Sequence, residues 1–376
     1  MNIKSSKITT VIFCALIGGL TISSLIAPAK TESETENRKL AQLPEFTIKS
    51  LFSGEFTSDY EEFITDQFIG RDSWIAAKTT AERLIGRRES NGVYFAKDGY
   101  FIDGTYPDSE QASKNLAILS DFAHDLDGKY NFRILIAPTA SLILEDKLPY
   151  GASVWDQKSY LDEISTLPGA LDIWQIMSDN SNDYIYYRTD HHWTADGMYL
   201  AYRSLCESLE IEPSPAEKLV RTTLSDEFLG TVIAKVGIKS TPDTLVDLTS
   251  ENQPTVHVTY NLGASESDSL YVSEKLSTRD KYGVYLGGNP AIADITTSVK
   301  NGRTLVMAKD SYAHCMLPLL ANHYERMIVI DLRSFNSGFE SYLDKLRTDG
   351  VTIDDVVILY SASGFANDRS VIWLKK

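Results

Sequence analysis

Short apolar runs alternate with helical patterns through most of this chain. Phe132–Ala137, Tyr184–Tyr187, Thr304–Ala308, Met327–Leu332 and Val356–Tyr360 read as strands. Between them, apolar residues recur at helical spacing: Ala112, Leu116, Leu119 and Phe122, then about Thr194 to Leu209, 312–323 and 338–347. A strand without polar alternation has no face to offer water, so it belongs in a sheet covered on both sides. Strands that alternate with helices make that sheet mostly parallel, an α/β arrangement. Residues 224–285 break the rhythm with Pro, Ser, Thr and β-like runs such as Thr255–Tyr260, and read as an inserted, loop-rich β segment.

The N-terminal hundred residues follow another logic. Lys4 and Lys7 precede an uncharged run from Ile8 to Pro28, and Ala27-Pro28-Ala29 has the small-x-small form of a cleavage site. The run is also long enough to span a bilayer once. Signal peptide and uncleaved anchor both fit, and Pro28 inside the cleavage pattern tilts the reading to an anchor. Either one exports residues 31–376. Residues 30–45 read as a polar tether. Ser58-Asp59-Tyr60-Glu61 has the form of a capping box, with Tyr60, Phe63, Ile64 and Phe68 at helical spacing and Gly70 as the helix end. A second helix is expected from about Ser73 to Ile85, then a hairpin turning at Lys97-Asp98-Gly99. The expected organisation is a targeting segment over 1–30, a tether with helical extension and hairpin over 31–105, and a catalytic domain over 106–376 with its insertion at about 224–285.

Charge narrows the function classes. The formal net charge is −16, and setting aside Lys4, Lys7 and Lys30 of the leader takes it to −19. Such a surface repels nucleic acid and anionic lipid, so a nucleic-acid partner is not expected. Of three cysteines, Cys14 lies in the apolar run without the leucine three residues upstream that a lipoprotein signal has. Cys206 and Cys315 sit on apolar helix faces, and nothing in their spacing indicates a disulfide scaffold.

The chemistry concentrates in two strings. Tyr187-Arg188-Thr189-Asp190-His191-His192-Trp193-Thr194 places a carboxylate beside two of six histidines, between an expected strand and a helix whose N-cap is Thr194. In an extended loop, Asp190 and His192 share a side and His191 points away. A carboxylate beside an imidazole fixes its tautomer and stabilises the imidazolium. Trp193 would shield the pair or stack on a sugar. Far downstream, Lys309-Asp310-Ser311-Tyr312-Ala313-His314 puts Ser311 between a strand and an apolar helix, where first-turn N–H groups can meet an oxyanion. A serine needs a base within hydrogen-bond reach, and His192 oriented by Asp190 is the best one. His314 is the competing base, but no carboxylate obviously orients it. The ordinary readings are a surface turn for Asp190–His192 and a helix N-cap for the Asp310-Ser311 pair. Asp-His-His also occurs in manganese phosphoesterases of the DHH type, which need further aspartates, in pairs or next to histidine, earlier in the chain; the reading is set lower because this chain reads as exported. No His-x-x-x-His, Cys-x-x-Cys or glycine-rich phosphate loop is present.

Read together, the strings resemble the DHHW protein family of Gram-positive bacteria, which is similar to the alginate O-acetyltransferases. The resemblance is carried by Thr189-Asp190-His191-His192-Trp193-Thr194 with Ala195-Asp196-Gly197. It extends to Asn37-Arg38-Lys39-Leu40 with Pro44-Glu45-Phe46, and to Asp66-Gln67-Phe68 with Arg71. Gly92-Val93-Tyr94, Lys97–Tyr100, Ala137-Pro138-Thr139, Lys147-Leu148-Pro149, Lys309–Tyr312 and Ile330–Arg333 continue it. It implies an SGNH-hydrolase-like three-layer sandwich with Asp190, His192 and Ser311 on the triad positions. The Tyr312 backbone N–H would be an oxyanion donor, with Gly288 and Asn289 as further donors on a loop after an apolar strand. The implied activity is an extracytoplasmic serine O-acyltransferase that O-acetylates a cell-surface or secreted polysaccharide. Its acyl donor would be a membrane-bound O-acyltransferase, and neither metal nor cofactor is implied. A carbohydrate esterase with the same triad and a catalytically silent polysaccharide-binding protein are the alternatives. Twenty Tyr and five Trp suit sugar stacking but serve a core equally well.

Overall fold

The computed structural model describes residues 3–33 and 38–375, so Asn37 of the N-terminal block lies outside the described residues. The chain divides into two compact units, Met1–Arg87 with Ala234–Lys239, and Arg88–Ile233 with Ser240–Lys376.

In the first unit, helix Ile3–Ile26 contains Lys7–Ser24, a stretch long and apolar enough to cross a membrane and not buried against the protein. Helices Ile48–Ser53, Glu55–Asp66 and Arg71–Leu84 follow. The capping box expected at Ser58–Glu61 lies inside the second of these. The reciprocal cap is at Thr47 instead, whose side chain accepts the Ser50 N–H while the Ser50 hydroxyl accepts the Thr47 N–H. A Ser-x-x-Glu string is tolerated inside a helix, and here the helix begins at Glu55, after Gly54 at φ +81°. Gly70 does not end that helix either. With φ +67° it opens the next one.

The second unit begins with β1 (Glu89–Ser90), β2 (Val93–Phe95) and β3 (Phe101–Asp103), a small antiparallel sheet. The turn at Lys97–Gly99 is as expected, with Asp98 and Gly99 both at positive φ. Hydrogen bonds tie this sheet to later parts of the chain. Phe101 N–H donates to Arg188 O at 2.8 Å and Lys97 Nζ to Asp146 O at 2.8 Å. This sheet belongs to the second compact unit, which begins at Arg88.

The remaining strands are β4 (Asn131–Ala137), β5 (Leu219–Phe228), β6 (Asp243–Ser250), β7 (Val256–Tyr260), β8 (Ser265–Ser267), β9 (Ile292–Thr297), β10 (Thr304–Lys309), β11 (Arg326–Ile330) and β12 (Asp355–Ser361). β5 and β6 pair with each other, and the other seven form one sheet in the order β8-β7-β9-β11-β10-β12-β4. β4, β12, β10 and β11 are parallel, while β9, β7 and β8 extend the sheet antiparallel. The sheet is thus mixed rather than mostly parallel: β9, which follows the inserted segment, runs antiparallel to β11, and the insertion adds its antiparallel hairpin β7–β8 outside it. Leu305, Met307, Met327 and Val329 enter one core with Trp193, Met198 and Tyr312. Val306, Ala308, Ile328 and Ile330 enter the other with Phe122, Phe339 and Phe365. Both faces of the sheet are buried.

Two further expectations change. Tyr184–Tyr187 is not a strand; only Tyr186 bridges Trp193. Its backbone is engaged by its own loop, where Thr194 N–H donates to Ile185 O and Tyr187 N–H to His192 O. The helix expected over 312–323 is a 3₁₀ turn, Ser311–Met316, followed by Leu317–Leu320. Pro318 lacks an N–H and fits only a first helical turn, so regular helix cannot begin more than a turn before it. Cys206 and Cys315 are free thiols, both buried.

Candidate active site

The Asp190–Trp193 string occupies a tight loop held from several sides. Asp243, buried in β6, accepts the Thr189 N–H (2.8 Å) and hydroxyl (2.6 Å), the Arg188 N–H (3.1 Å) and the Tyr184 hydroxyl (2.5 Å). Thr194 caps helix Ala195–Ser208, accepting the Gly197 N–H. Gly197 has to be glycine, since a Cβ there would lie 2.2 Å from Ile185 O.

Within this loop Asp190 Oδ1 accepts both the His192 N–H (3.0 Å) and His192 Nδ1–H (2.5 Å). Its other oxygen accepts the Thr231 N–H (2.8 Å) and hydroxyl (3.1 Å). The opposite ring nitrogen, His192 Nε2, lies 2.7 Å from Ser311 Oγ. With Nδ1 carrying the proton toward Asp190, Nε2 is the acceptor of the serine hydroxyl. Three side chains from two distant strings thus form one chain of hydrogen bonds. Burial works against ionisation of Asp190, but the imidazoles of His191 and His192 outweigh it and hold the carboxyl well below its ordinary range. Burial, aided by His191, lowers His192 below 6.5 against the pull of Asp190. A neutral imidazole at neutral pH is what a general base requires.

Ser311 follows β10 at the carboxyl edge of the sheet, where α/β sheets gather reactive groups. Asp310 N-caps its turn. Oδ1 accepts the Tyr312 N–H at 2.9 Å, and Oδ2 accepts the Ser361 N–H and hydroxyl, both at 2.9 Å. This corrects the implied oxyanion donor, because the Tyr312 N–H is already engaged. The N–H of Ser311 itself has no acceptor among the described residues and is the better candidate. Gly288 and Asn289 form no hydrogen bond with Ser311. Gly288 donates to Tyr285 O at 3.2 Å, and Asn289 Oδ1 accepts from Arg333 at 3.0 Å. Their loop lies farther along the same edge, before β9.

Two neighbours in the string also differ from expectation. His191 does not point away, because the loop is curled rather than extended. Its ring lies 3.9 Å from that of His192, and its Nδ1 meets Thr231 Oγ1 at 2.8 Å. Trp193 cannot stack on a sugar. It is fully buried, with Nε1–H donating to Tyr312 O at 3.1 Å. The Tyr312 hydroxyl in turn donates to His191 O, tying the Ser311 turn to the histidine loop. His314, the competing base, is held well below its ordinary range by burial and by Lys309, and its Nε2 faces that lysine.

Tyr282, Thr231 and Asp243 were not foreseen. The Tyr282 ring stacks on His192 at 3.9 Å and 11°. All three come from the inserted segment, which in sequence carries no catalytic pattern. The ligand-capable atoms of Asp190, His191 and His192 lie within 4.8 Å of one another. However, both nitrogens of His192 already serve Asp190 and Ser311. Asp125-Leu126-Asp127, an Asp-x-Asp string upstream, is at the end of helix Ser109–Leu126, where Asp125 pairs with Lys375 at 2.7 Å.

A DHHW family protein from Eubacterium siraeum superimposes with a TM-score of 0.64 at 24% identity, over 76% of this chain and 95% of that one. Bacillus cereus PatB1, solved with a sulfonyl adduct, gives 0.62 at 19% identity, over 76% and 98%. At these identities the likeness establishes the fold. No curated protein matches the sequence. Residues 88–330, which hold the Asp190–Trp193 loop, the inserted segment and Ser311, match the family described as DHHW protein. The chain belongs to the DHHW family.

Proposed function

We propose that this protein is an extracytoplasmic serine O-acyltransferase on an SGNH-hydrolase-like scaffold, acetylating a cell-surface or secreted polysaccharide. The carrying observation is the hydrogen-bond chain from Asp190 through His192 to Ser311 Oγ. Ser311 attacks the acyl carbonyl as His192 takes its proton, and Asp190 orients the ring and stabilises the imidazolium. The Ser311 N–H faces the developing oxyanion. His192 then returns its proton to the leaving group, and a sugar hydroxyl, deprotonated by the same ring, takes the acyl group from the serine. Residues 1–30 hold the domain at the outer membrane surface, where a membrane-bound acyl-transfer partner supplies the donor. PatB1 was captured with a sulfonyl adduct, and a sulfonyl fluoride is accordingly a fit probe for this serine.

The test is p-nitrophenyl acetate turnover together with sulfonyl fluoride labelling. Wild type turns over and is labelled on Ser311. Ser311→Ala and His192→Ala lose turnover, and unchanged turnover in either would remove the reading. Acetylated oligosaccharide in the mass spectrum, after an acceptor is added, separates transfer from the esterase alternative, which releases only acetate.

A further inference from the structure

Lys309 has no part in the proton relay, yet it is wholly buried and lies two residues before Ser311. Strand register puts it there. Met307 pairs with Val329 and Ala308 with Ile330, so the next step along the two strands sets Lys309 beside Asp331. The ammonium lies 3.5 Å from Asp331 Oδ2 and 2.7 Å from His314 Nε2. Arg333 closes Asp331 from the far side, with Nε to Oδ1 at 2.8 Å and Nη2 to Oδ2 at 2.6 Å.

An ammonium has donors only, so His314 Nε2 must be the acceptor, and His314 is neutral with its proton on Nδ1. The Lys309–His314 bond spans Ser311, starting before it and ending three residues after it. Burying such a cation carries a desolvation penalty that a methionine of similar length would avoid. Stability alone therefore gives little reason for a lysine here.

We infer that Lys309 is a positioning residue for the nucleophile, clasping the Ser311–His314 turn through His314 and Asp331 so that Ser311 Oγ meets His192 Nε2. This rests on the proposed role of Ser311. Asp310 holds the same turn through Tyr312 N–H and Ser361, so the segment is anchored to β11 by one residue and to the end of β12 by the next. The charged and titratable groups facing Lys309 are Asp331 and Arg333 beyond β11, Asp310 beside it, and His314 in the turn. Burial brings the lysine down to about 8 against the opposing effect of Asp331. Once neutral, the amine can accept as well as donate, and the clasp loses its fixed polarity.

The experiment follows p-nitrophenyl acetate turnover by the full chain from neutral to strongly alkaline pH, with spontaneous hydrolysis subtracted. Wild type should lose rate as pH rises through about 8. Lys309→Met should lower kcat by about 10- to 100-fold with little change in KM, and its alkaline decline should vanish. His314→Leu keeps the cation but removes its acceptor, so its decline should move to lower pH; it serves also if the methionine variant does not fold. An alkaline decline that persists in Lys309→Met, wild-type kcat in that variant, or a decline unmoved in His314→Leu overturns the inference. Ser311→Ala is run alongside. Full turnover there removes the underlying functional reading itself, whereas an inactive Ser311→Ala beside an unaltered Lys309→Met removes only the role of the lysine.

Discussion

Gly230 and Asp190 approach so closely that a methyl group on the glycine would lie 2.1 Å from Asp190 Cβ and 2.3 Å from its Oδ2. The same stretch of backbone feeds the carboxylate, since Thr231 N–H donates to Asp190 Oδ2 and Gly230 N–H donates to Thr189 Oγ1 at 3.1 Å. The segment after β5 thus forms a wall that fixes the acid, and at residue 230 it comes this close only because it carries no side chain.

Gly230→Ala should therefore damage the site from a residue that takes no part in the chemistry. The added carbon must displace either Asp190 or the 229–231 backbone. Overpacking of this kind costs about 1–3 kcal/mol, a fall in Tm of roughly 2–8 °C. A misaligned acid should reduce kcat by about 100-fold. Thermal denaturation and p-nitrophenyl acetate kinetics on one preparation check both. Wild-type values in both assays would contradict the close approach.

Asp190→Asn keeps the shape but changes the hydrogen bonding. The amide can turn its N–H₂ toward His192 and stabilise the tautomer that presents Nε2–H to Ser311. A serine hydroxyl facing a donor is no nucleophile, so kcat should fall by about 10³- to 10⁴-fold with KM little altered. A loss below about tenfold would mean that the acid is only a loop anchor.

His192 must be neutral to accept the serine proton, and burial sets its pKa below 6.5. The sign follows directly. Rate should rise with pH through that lowered value and be fully developed by neutral pH. Asp190, held well below 3.8, stays ionised across this window and contributes no limb of its own. A pH profile of kcat/KM with its acid limb above 6.5 would show that another group controls the proton.

Much of the site was legible because its chemistry is local. Asp190 and His192 are two residues apart, Thr194 starts a helix, and Ser311 follows an apolar strand, each a pattern of a few residues. The supports were not legible for the opposite reason. Thr231 and Asp243 meet the Asp190 loop from 41 and 54 residues away. Tyr282 reaches His192 from the inserted segment, where no periodicity marks it. Trp193 stayed open between shielding the pair and stacking on a sugar because its polar neighbours suggest an exposed turn, and only the curled loop, which drives its ring into the core under Tyr312, removes the second option. The antiparallel half of the sheet escaped in the same way. Val256–Tyr260 looked β-like, but nothing within it shows that it pairs with Ile292–Thr297.

Tyr282 offers the sharpest test of that inserted segment. Its ring lies flat on the His192 imidazole at 3.9 Å, and its hydroxyl approaches Ser311 O at 3.5 Å. Burial is the largest influence lowering His192, and this ring supplies one face of it. Tyr282→Leu should let water reach that face, so the His192 pKa should rise toward 6.5 and the acid limb of kcat should move up with it. The rate at neutral pH should also drop, by about tenfold, because the ring no longer restrains the imidazole. Tyr282→Phe keeps the stack and loses only the long hydroxyl contact, so its acid limb should stay at the wild-type position. If leucine and phenylalanine variants share one pH profile, the ring does not tune the base, and the insertion serves the site only through Thr231 and Asp243.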